Sequence, residues 1–544
     1  MVIQGTITKL LSLLVLAVLM APLLAHADLV ELVRIYGPSG GDEFYHVCGP
    51  GDVNGDGYDD FIISSPVRDR NNHECENGYA RLYFGGDPID TSNYITIPPV
   101  CNEEQRMLYG FGRYSTKIGD MNGDGYPDFL IGDPEYDYSY GGPWNSGAGF
   151  VYWGGPTIDT LPGLRLLGET FNAESKFEGF GDVNGDSYND VISSVMWCTK
   201  SATEADYVNI YLGGESPDSI PDLQIWPFFG YYPVIAEPAK IVGDYNGDGK
   251  DDIVVGNAMA MVDSGLAFLF FGSDTGFSQP DLVFEGQGGW NFGYLLSGCG
   301  DLNGDGFDDF MTDELGAVSV YYGSQNPDTL PDLVLRPTII RNTSCLSGGG
   351  DLNQDGYADI AVSCSGWTGQ DSCVGQVLIY YGGEEMDTIP DIAISGEERY
   401  QGLGEETTFP GDINGDGYPE FIASSKYYGR PGSSCVTIYT TNTSSVRASD
   451  PLPLAGEIEL GCYPNPFNAS TVISYKAQGR EAKLEIFDLA GRKVRSFNLP
   501  SHSGQAQVVW DGTNEAGQGV SSGIYFCRLS TESLSATKRL VLIR

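Results

Sequence analysis

The chain has 544 residues and a formal net charge of −45, from 74 Asp/Glu against 29 Lys/Arg. That balance argues against a nucleic-acid binder, since phosphates demand clustered Lys and Arg, while 41% hydrophobic and 12% aromatic residues argue for a packed core rather than acidic disorder. Residues 1–450 carry 66 acids against 19 bases and residues 451–544 carry 8 against 10, so the acid is best explained by bound cations in the first part.

The first 27 residues read as a secretory signal: Lys9, an apolar run from Leu10 to Leu24, then Ala25-His26-Ala27 as a small-residue cleavage site, so that the mature chain begins at Asp28. The run is only about fifteen residues and is broken by Pro22, which suits a signal better than a bilayer span. An uncleaved N-terminal anchor is the alternative. No second run is long enough to cross a membrane. Eleven cysteines in an exported chain allow disulfides, and the odd count leaves one over. Cys75 with Cys101, Cys364 with Cys373 and Cys462 with Cys527 are candidate pairs. Cys48, Cys299 and Cys345, each just before an acidic loop, read as buried thiols.

Residues 28–439 are organised by one stretch that occurs seven times: DVNGDGYDD from Asp52, DMNGDGYPD from Asp120, DVNGDSYND from Asp182, DYNGDGKDD from Asp244, DLNGDGFDD from Asp301, DLNQDGYAD from Asp351 and DINGDGYPE from Asp412. Successive copies start 68, 62, 62, 57, 50 and 61 residues apart, room for a four-stranded propeller blade with generous loops. In D-x-N-x-D-G-x-x-D, side-chain oxygens at positions 1, 3, 5 and 9 and a backbone carbonyl at position 7 can converge on one ion. Oxygen-only ligands in a flexible loop suit the hard cation Ca²⁺, and Gly at position 6 supplies the left-handed turn.

The candidate ligands are, in chain order, Asp52, Asn54, Asp56, Tyr58 and Asp60; Asp120, Asn122, Asp124, Tyr126 and Asp128; Asp182, Asn184, Asp186, Tyr188 and Asp190; Asp244, Asn246, Asp248, Lys250 and Asp252; Asp301, Asn303, Asp305, Phe307 and Asp309; Asp351, Asn353, Asp355, Tyr357 and Asp359; and Asp412, Asn414, Asp416, Tyr418 and Glu420. The residue at position 7 contributes its carbonyl, and up to seven calcium ions are expected. An EF-hand needs an acid at position 12, where this chain has Ile63, Ile131, Ser193, Val255, Thr312, Val362 and Ala423. Apolar runs such as DFIISSP and DDIVVGN follow instead and read as strands. Asn-Gly and Asp-Gly are also strong hairpin-turn signals with no metal implied. The case for an ion is that all seven copies keep Asp, Asn and Asp at positions 1, 3 and 5, which a turn does not require. Ser187 in place of the turn Gly, and Glu420 in place of the last Asp, mark the two sites expected to bind more weakly or not at all.

Each loop is preceded by Gly, in the third copy by Phe-Gly, and most are followed by an aromatic strand ending in Gly: YARLYFGG, GFVYWGG, VNIYLGG, AFLFFGS, VSVYYGS and VLIYYGG. These features resemble the FG-GAP repeat family, the seven-bladed propeller of integrin α subunits and their bacterial relatives, over roughly residues 28 to 440. The resemblance implies that each calcium loop joins the first and second strands of a blade on the propeller's lower face. The repeats themselves supply a fourth strand after a Pro-Asp turn, as in PDLVFEGQ, PDLVLRPT and PDIAISGE. The seventh repeat lacks it. Residues 28–37, DLVELVRIYG, are expected to pair into the last blade and close the ring, removing exposed sheet edges.

Residues 440–458 read as a Ser/Thr/Pro-rich linker. From 459 to 544, stretches such as CYPNPFNASTVISY, LEIFDLAGRKVRSF and ATKRLVLIR alternate strands with Gly-rich turns, as in a small β-sandwich. With YPNPFN and GIYF, this region resembles the C-terminal sorting domain of type IX secretion cargo, itself similar to Ig-like domains of flagellar hook-capping proteins. The resemblance implies export through the outer-membrane secretion machinery of a Gram-negative-type bacterium, with the tail removed or used for attachment at the surface. A permanent Ig-like module is the alternative. The fold expected is therefore all-β, a seven-bladed propeller followed by an Ig-like sandwich.

After the signal only His46, His73 and His502 remain, and no GxSxG, HExxH, CxxC pair or phosphate loop is present. The favoured reading is a non-enzymatic, secreted or cell-surface calcium propeller that acts as an adhesion module for an extracellular protein or glycan. Two alternatives stand: a polysaccharide-active enzyme, whose paired carboxylates leave no linear signature, and a structural surface protein without a specific ligand. Long turns on the face opposite the calcium loops are the expected binding region, including PEYDYSYGGPWNSG from Pro134, CSGWTGQDSC from Cys364 and SKYYGRPGSS from Ser425. Tyr136, Tyr138, Tyr140 and Trp144 are candidates to stack on sugar faces or fill a protein hot spot, with packing of their own loop as the alternative.

Overall fold

The computed structural model describes residues 29–37, 44, 46–66, 78–100, 110–134, 136, 146–168, 174–196, 207–226, 238–258, 264–286, 291–314, 316–336, 343–366, 374–427 and 434–441, then 458–463, 470–477, 483–488, 492–498, 505–521, 523–530 and 535–542. Every regular element among them that is long enough to name is a β-strand. The chain divides into two compact units, one ending at Thr443 and one beginning at Ser444.

The first unit is a β-propeller of seven four-stranded sheets. After an initial strand β1 (Leu29–Tyr36), the first blade comprises β2 (His46–Gly51), β3 (Asp60–Ser65), β4 (Tyr79–Tyr83) and β5 (Tyr94–Ile97), hydrogen-bonded in that order. Six further blades repeat the pattern, with innermost strands Tyr114–Gly119, Glu174–Gly181, Ala239–Gly243, Leu296–Gly300, Cys345–Gly350 and Leu403–Gly411. Each innermost strand packs against that of the next blade, and Leu403–Gly411 packs back on β2, which closes the ring.

Second strands such as β3 and Asp128–Asp133 are buried at every residue. Each lies between two neighbouring blades with both faces covered, which is why these segments read as unbroken apolar runs rather than alternating ones. Cross-strand aromatic pairs join them to the third strands: Phe61 stacks on Tyr83 at 4.9 Å between ring centroids, Phe129 on Tyr152 at 5.3 Å and Phe310 on Tyr321 at 5.0 Å. The blade-to-blade interfaces are therefore the core.

Two features lead to the functional face. Each innermost strand slips register at its end, between Cys48 and Gly51 in the first blade and between Thr408 and Gly411 in the last. Such a bulge bends the chain out of the ladder and into the acidic loop that follows. In the seventh blade the sheet order is β1, Cys435–Thr441, Glu420–Ser425, Leu403–Gly411. There β1 runs antiparallel to Cys435–Thr441, with Leu29 opposite Thr441 and Tyr36 opposite Cys435.

The second unit contains a three-stranded sheet (Ile458–Tyr463, Thr471–Ala477, Gln505–Trp510) and a four-stranded sheet in the order Lys493–Asn498, Lys483–Asp488, Gly523–Ser530, Ser535–Leu542. Ile473 and Trp510 from the first share a core with Leu484, Ile486, Cys527 and Leu540 from the second, a two-sheet sandwich.

Several sequence expectations fall outside the described residues: the signal 1–27, Cys75, Cys101 and Cys373, His73 and His502, and Tyr138, Tyr140 and Trp144. Cys364 and Cys527 are buried, and Cys48, Cys299 and Cys345 are free thiols. Tyr136 corrects the expectation of an exposed ligand-binding aromatic. It is 3% exposed, and its ring meets Phe150 edge-on at 5.5 Å. The ring turns inward because a hydrophobic cluster with Phe111, Phe129 and Phe150 is available to it.

Candidate metal loops and the axial cavity

The seven acidic loops share one internal scaffold. In the first, Asp52 accepts the N–H groups of Gly55 (2.7 Å) and Asp56 (3.0 Å) on one carboxylate oxygen and that of Gly57 (2.8 Å) on the other. Asn54 accepts the Asp56 N–H, and Asp56 accepts the Tyr58 N–H. The chain thus curls around its own carboxylates. Gly57 reaches this geometry at φ +94°. Ser187 takes the same left-handed turn at φ 75° and donates its N–H to Asp182 at 2.6 Å, so the substituted loop closes like the others at a backbone strain of about 1–2 kcal/mol.

The last acid of each loop is fully buried: Asp60, Asp128, Asp190, Asp252, Asp309, Asp359 and Glu420 are all 0% exposed. Asp60 accepts the Val53 N–H (3.1 Å) from its own loop and the Gly85 N–H (3.0 Å) just beyond β4. The glycine that ends the aromatic strand has this job in other blades too, with Gly154 donating to Asp128 and Gly213 to Asp190, both at 2.8 Å. The glycine at the end of the aromatic strand thus ties the loop to that strand by a hydrogen bond, whatever the number of residues between them. Burial pushes Asp60, Asp128 and Asp190 up to about 7, and Asp252, Asp309 and Asp359 up to about 8.

In the seventh blade the third strand carries no such glycine, and Glu420 takes the aspartate's place. It accepts the Ile413 N–H at 2.7 Å and the Asn414 side-chain amide at 2.6 Å. One carboxylate oxygen each from Asp412, Asp416 and Glu420 lie within 4.8 Å of one another. In the loop expected to bind weakly, the longer glutamate thus brings its carboxylate beside those of Asp412 and Asp416. A donor set made only of oxygens, gathered this closely in a glycine-hinged loop, fits a hard divalent cation.

The loops are also joined to each other. Position 8, left unassigned from the sequence, clasps the neighbouring blade: Asp59 accepts the N–H of Asp412 (2.7 Å), Asn189 that of Asp120 (2.9 Å), Asp251 that of Asp182 (2.7 Å) and Asp308 that of Asp244 (2.9 Å). The backbone N–H groups of Asp59, Asn189, Asp251, Asp308 and Ala358 return to the position-1 carbonyls of the same neighbours. Pro127 and Pro419 occupy this position in the second and seventh loops and have no N–H to give. Position 7 reaches across as well. A Cβ built on Gly55 would lie 2.5 Å from the ring of Tyr126, on Gly123 2.3 Å from Tyr188, on Gly247 2.3 Å from Phe307 and on Gly415 2.4 Å from Tyr58. The loops therefore form a closed belt. Gly55→Ala should destabilise the propeller by about 2–4 kcal/mol, from a left-handed φ of +73° and a Cβ that would displace the Tyr126 ring; denaturant unfolding of the variant in calcium measures it.

At the other end of the innermost strands lies a second feature that the sequence did not disclose. A cavity of about 420 Å³ on the propeller axis is lined by His46, Arg113, Ser115, Lys176, Glu178, Lys240, Cys345 and Glu406, among others, each on an innermost strand or just before it. Glu178 lies between two ammonium groups, those of Lys176 and of Lys240 at 2.5 Å. Burial opposes its ionisation, but the two lysines outweigh it and bring Glu178 down to about 2. Burial, then Lys176 and Lys240, depress His46 to about 3. The His46 Nδ1 accepts the Ser115 N–H at 3.4 Å, and its Nε2 faces Glu406 at 3.8 Å. Burial raises Glu406 to about 7.

Residues 48–83 and 241–276 match the FG-GAP repeat, and residues 461–543 match the secretion system C-terminal sorting domain. The propeller thus contains FG-GAP repeats and the second unit matches a sorting domain, which marks a secreted or cell-surface protein. Its relatives include integrin alpha-PS2 of Drosophila melanogaster, 29% identical over 180 residues (30% of this chain, 12% of that protein), and integrin alpha-V of Gallus gallus, 26% identical over 274 residues (46% and 24%). The chain spans about a quarter or less of the length of these relatives. Among solved structures it is similar to PorZ, a bacterial surface component of the type-IX secretion system of Porphyromonas gingivalis, at 14% identity with a TM-score of 0.36, covering 94% of this chain and 61% of that one.

Proposed function

We propose that the protein is a calcium-clamped adhesion module, exported through its sorting domain, that holds up to seven ions in the belt and recognises an extracellular protein or glycan on the opposite face. Residues 1–27 act as the export signal, 28–439 form the recognition unit, 440–458 link it to the sorting domain 459–544, and the loop holding Tyr138, Tyr140 and Trp144 contributes to the recognition face. The observation that carries this reading is the belt itself: repeated all-oxygen loops joined blade to blade, which place ion binding in the service of rigidity and leave the other face for recognition. When bound, calcium supplies charge neutralisation among the loop carboxylates. Position-1 aspartates shape the loop, and position-9 acids tie it to the third strand.

The test is binding of the full chain to arrays of glycans and extracellular proteins, with calcium and with EDTA. Saturable binding of one ligand class in calcium, lost in EDTA, is expected. No binding in any arm points to a structural surface role, and release of sugars from a polysaccharide points to an enzyme.

The buried acids set the pH behaviour of the calcium-free protein. Asp60 and its equivalents sit at about 7–8 in the fold, above the ordinary 3.8, so the folded state holds more protons than the unfolded one between these values. Their contribution is full below about pH 4 and is lost as pH rises through 7–8. In EDTA the urea midpoint should therefore fall from pH 5 to pH 8, and adding calcium near pH 6 should release protons into a weakly buffered solution.

A further inference from the structure

We propose that the rim of the seventh blade, on the face opposite the metal belt, is a glycan-binding site, where Tyr36 and Tyr400 stack on sugar rings of one uncharged chain. This rests on the adhesion reading and names the class of ligand. Among the described residues, the large apolar side chains exposed at that end of the propeller are Tyr36, Trp226, Tyr294 and Tyr400, all aromatic. At the belt end the exposed turns carry aliphatic tips instead, Leu161, Ile220, Leu330 and Ile389.

The first argument is backbone strain held at an exposed ring. Tyr400 is the third residue of a turn from Glu398 to Gln401, closed by the Gln401 N–H to the Glu398 carbonyl at 3.1 Å. Its φ is 65°, a slot that favours Gly or Asn and that a bulky side chain occupies only under strain. The turn does not need the ring. Gln401, which is buried, accepts the N–H groups of Glu397 (2.7 Å) and Glu398 (3.1 Å) and donates to the Ser425 hydroxyl at 3.3 Å, which fixes the turn to the blade. Tyr400 itself is 40% exposed, with the Arg399 guanidinium 4.9 Å from its ring centroid. Strain at a rigidly mounted, exposed side chain points to a use outside the fold.

The second argument is placement. Ser425, Cys435 and Tyr36 lie directly opposite one another across the outer three strands of the seventh blade. Two inter-strand spacings make that row about 10 Å long. Gln401 ties Tyr400 to one end of it, and Tyr36, 64% exposed, stands at the other. Tyr427, two residues beyond Ser425, is buried, which pushes its hydroxyl up to about 12, and Cys435, Glu398, Arg34 and Tyr36 all act on it. The rim thus presents two flat rings separated by polar groups rather than one continuous apolar patch. A protein anchor needs a desolvated apolar centre. A pyranose carries C–H groups on its face and hydroxyls at its edge, which suits a tyrosine ring flanked by Glu397, Glu398 and Arg399.

Titration calorimetry of the full chain in calcium tests this, with cellohexaose, chitohexaose, laminarihexaose and xylohexaose as probes. Saturable binding of at least one of them at a single site per chain is expected, with Tyr36→Ser and Tyr400→Gly each weakening it by about tenfold. Tyr400→Gly is the deciding variant, because glycine fits φ 65° without strain and should leave the melting temperature unchanged. Absence of binding to all four sugars, or unchanged affinity in Tyr400→Gly, overturns the proposal. So does a drop in the melting temperature of Tyr400→Gly above about 3 °C, since the ring would then serve the fold. A protein ligand from the array that Tyr400→Gly no longer binds overturns the glycan assignment in favour of a protein anchor. An array ligand that Tyr400→Gly binds as the parent does removes this site and leaves the adhesion reading standing.

Discussion

Stripping calcium with EDTA should lower the melting temperature of the full chain by roughly 20 °C. An ion that binds only the native state at a hundredfold above its dissociation constant adds about 2.7 kcal/mol, so seven sites add about 19 kcal/mol. Unfolding about 410 residues carries roughly 0.9 kcal/mol/K of entropy at about 2.1 cal/mol/K per residue, and the ratio sets the shift. Metal counting on the purified protein belongs beside the melt. A shift under about 5 °C with no metal found would reduce the loops to turns and leave the acidity of residues 1–450 unexplained.

Removing residues 29–36 should have a comparable effect by a different route. Without β1 the seventh blade has three strands, and Cys435–Thr441 becomes an open edge with its hydrogen-bonding groups exposed. Ile35, which packs with Phe44, Val47, Phe61, Ile422 and Val436 where the first and last blades meet, is lost as well. Loss of one such aliphatic side chain costs about 2–5 kcal/mol before the seven backbone pairings are considered. The shortened chain should melt at least 10 °C lower, by roughly the same entropy scale, and elute partly as oligomers through edge pairing. A synthetic peptide LVELVRIY added during refolding should restore a monomer by supplying the missing strand. A shortened chain that is monomeric and melts like the parent would show that the ring holds without its closure strand of 8 residues.

The blades were legible because their signals are local. The apolar second strands, the aromatic third strands and the Asp-Asn-Asp-Gly loops each lie within one repeat, where spacing can be read directly. The belt was not, because its contacts join residues in different repeats: Asp251 to Asp182, 69 positions apart, Tyr126 to Gly55, and Asp59 to Asp412, 353 positions apart across the closure. A faint signal did exist. Position 8 is Asp or Asn in four of seven copies, a preference that a variable loop position has no reason to show. The axial cavity left none. Lys117, Lys176, Lys240 and Glu406 occupy four different repeats and meet only because the ring brings seven strands together. Tyr136 was misread because composition marks an aromatic residue in a long turn as available, while the neighbouring Phe150 decides where its ring goes.

The belt also changes what counts as one heritable unit in this protein. Wherever an aromatic ring at position 7 lies over a glycine, that glycine belongs to the previous repeat. Where the ring is replaced by Lys250, its aliphatic stem lies over Gly185 instead, 3.2 Å from where a Cβ would stand. Where the glycine is replaced by Gln354, its amide reaches toward Gly417 of the next loop. Duplication copies a repeat from its own beginning to its own end, but selection on the belt acts on the second half of one repeat together with the first half of another. A blade transplanted whole into a relative would therefore arrive with two mismatched seams, and its success would depend on the flanking loops rather than on the blade itself.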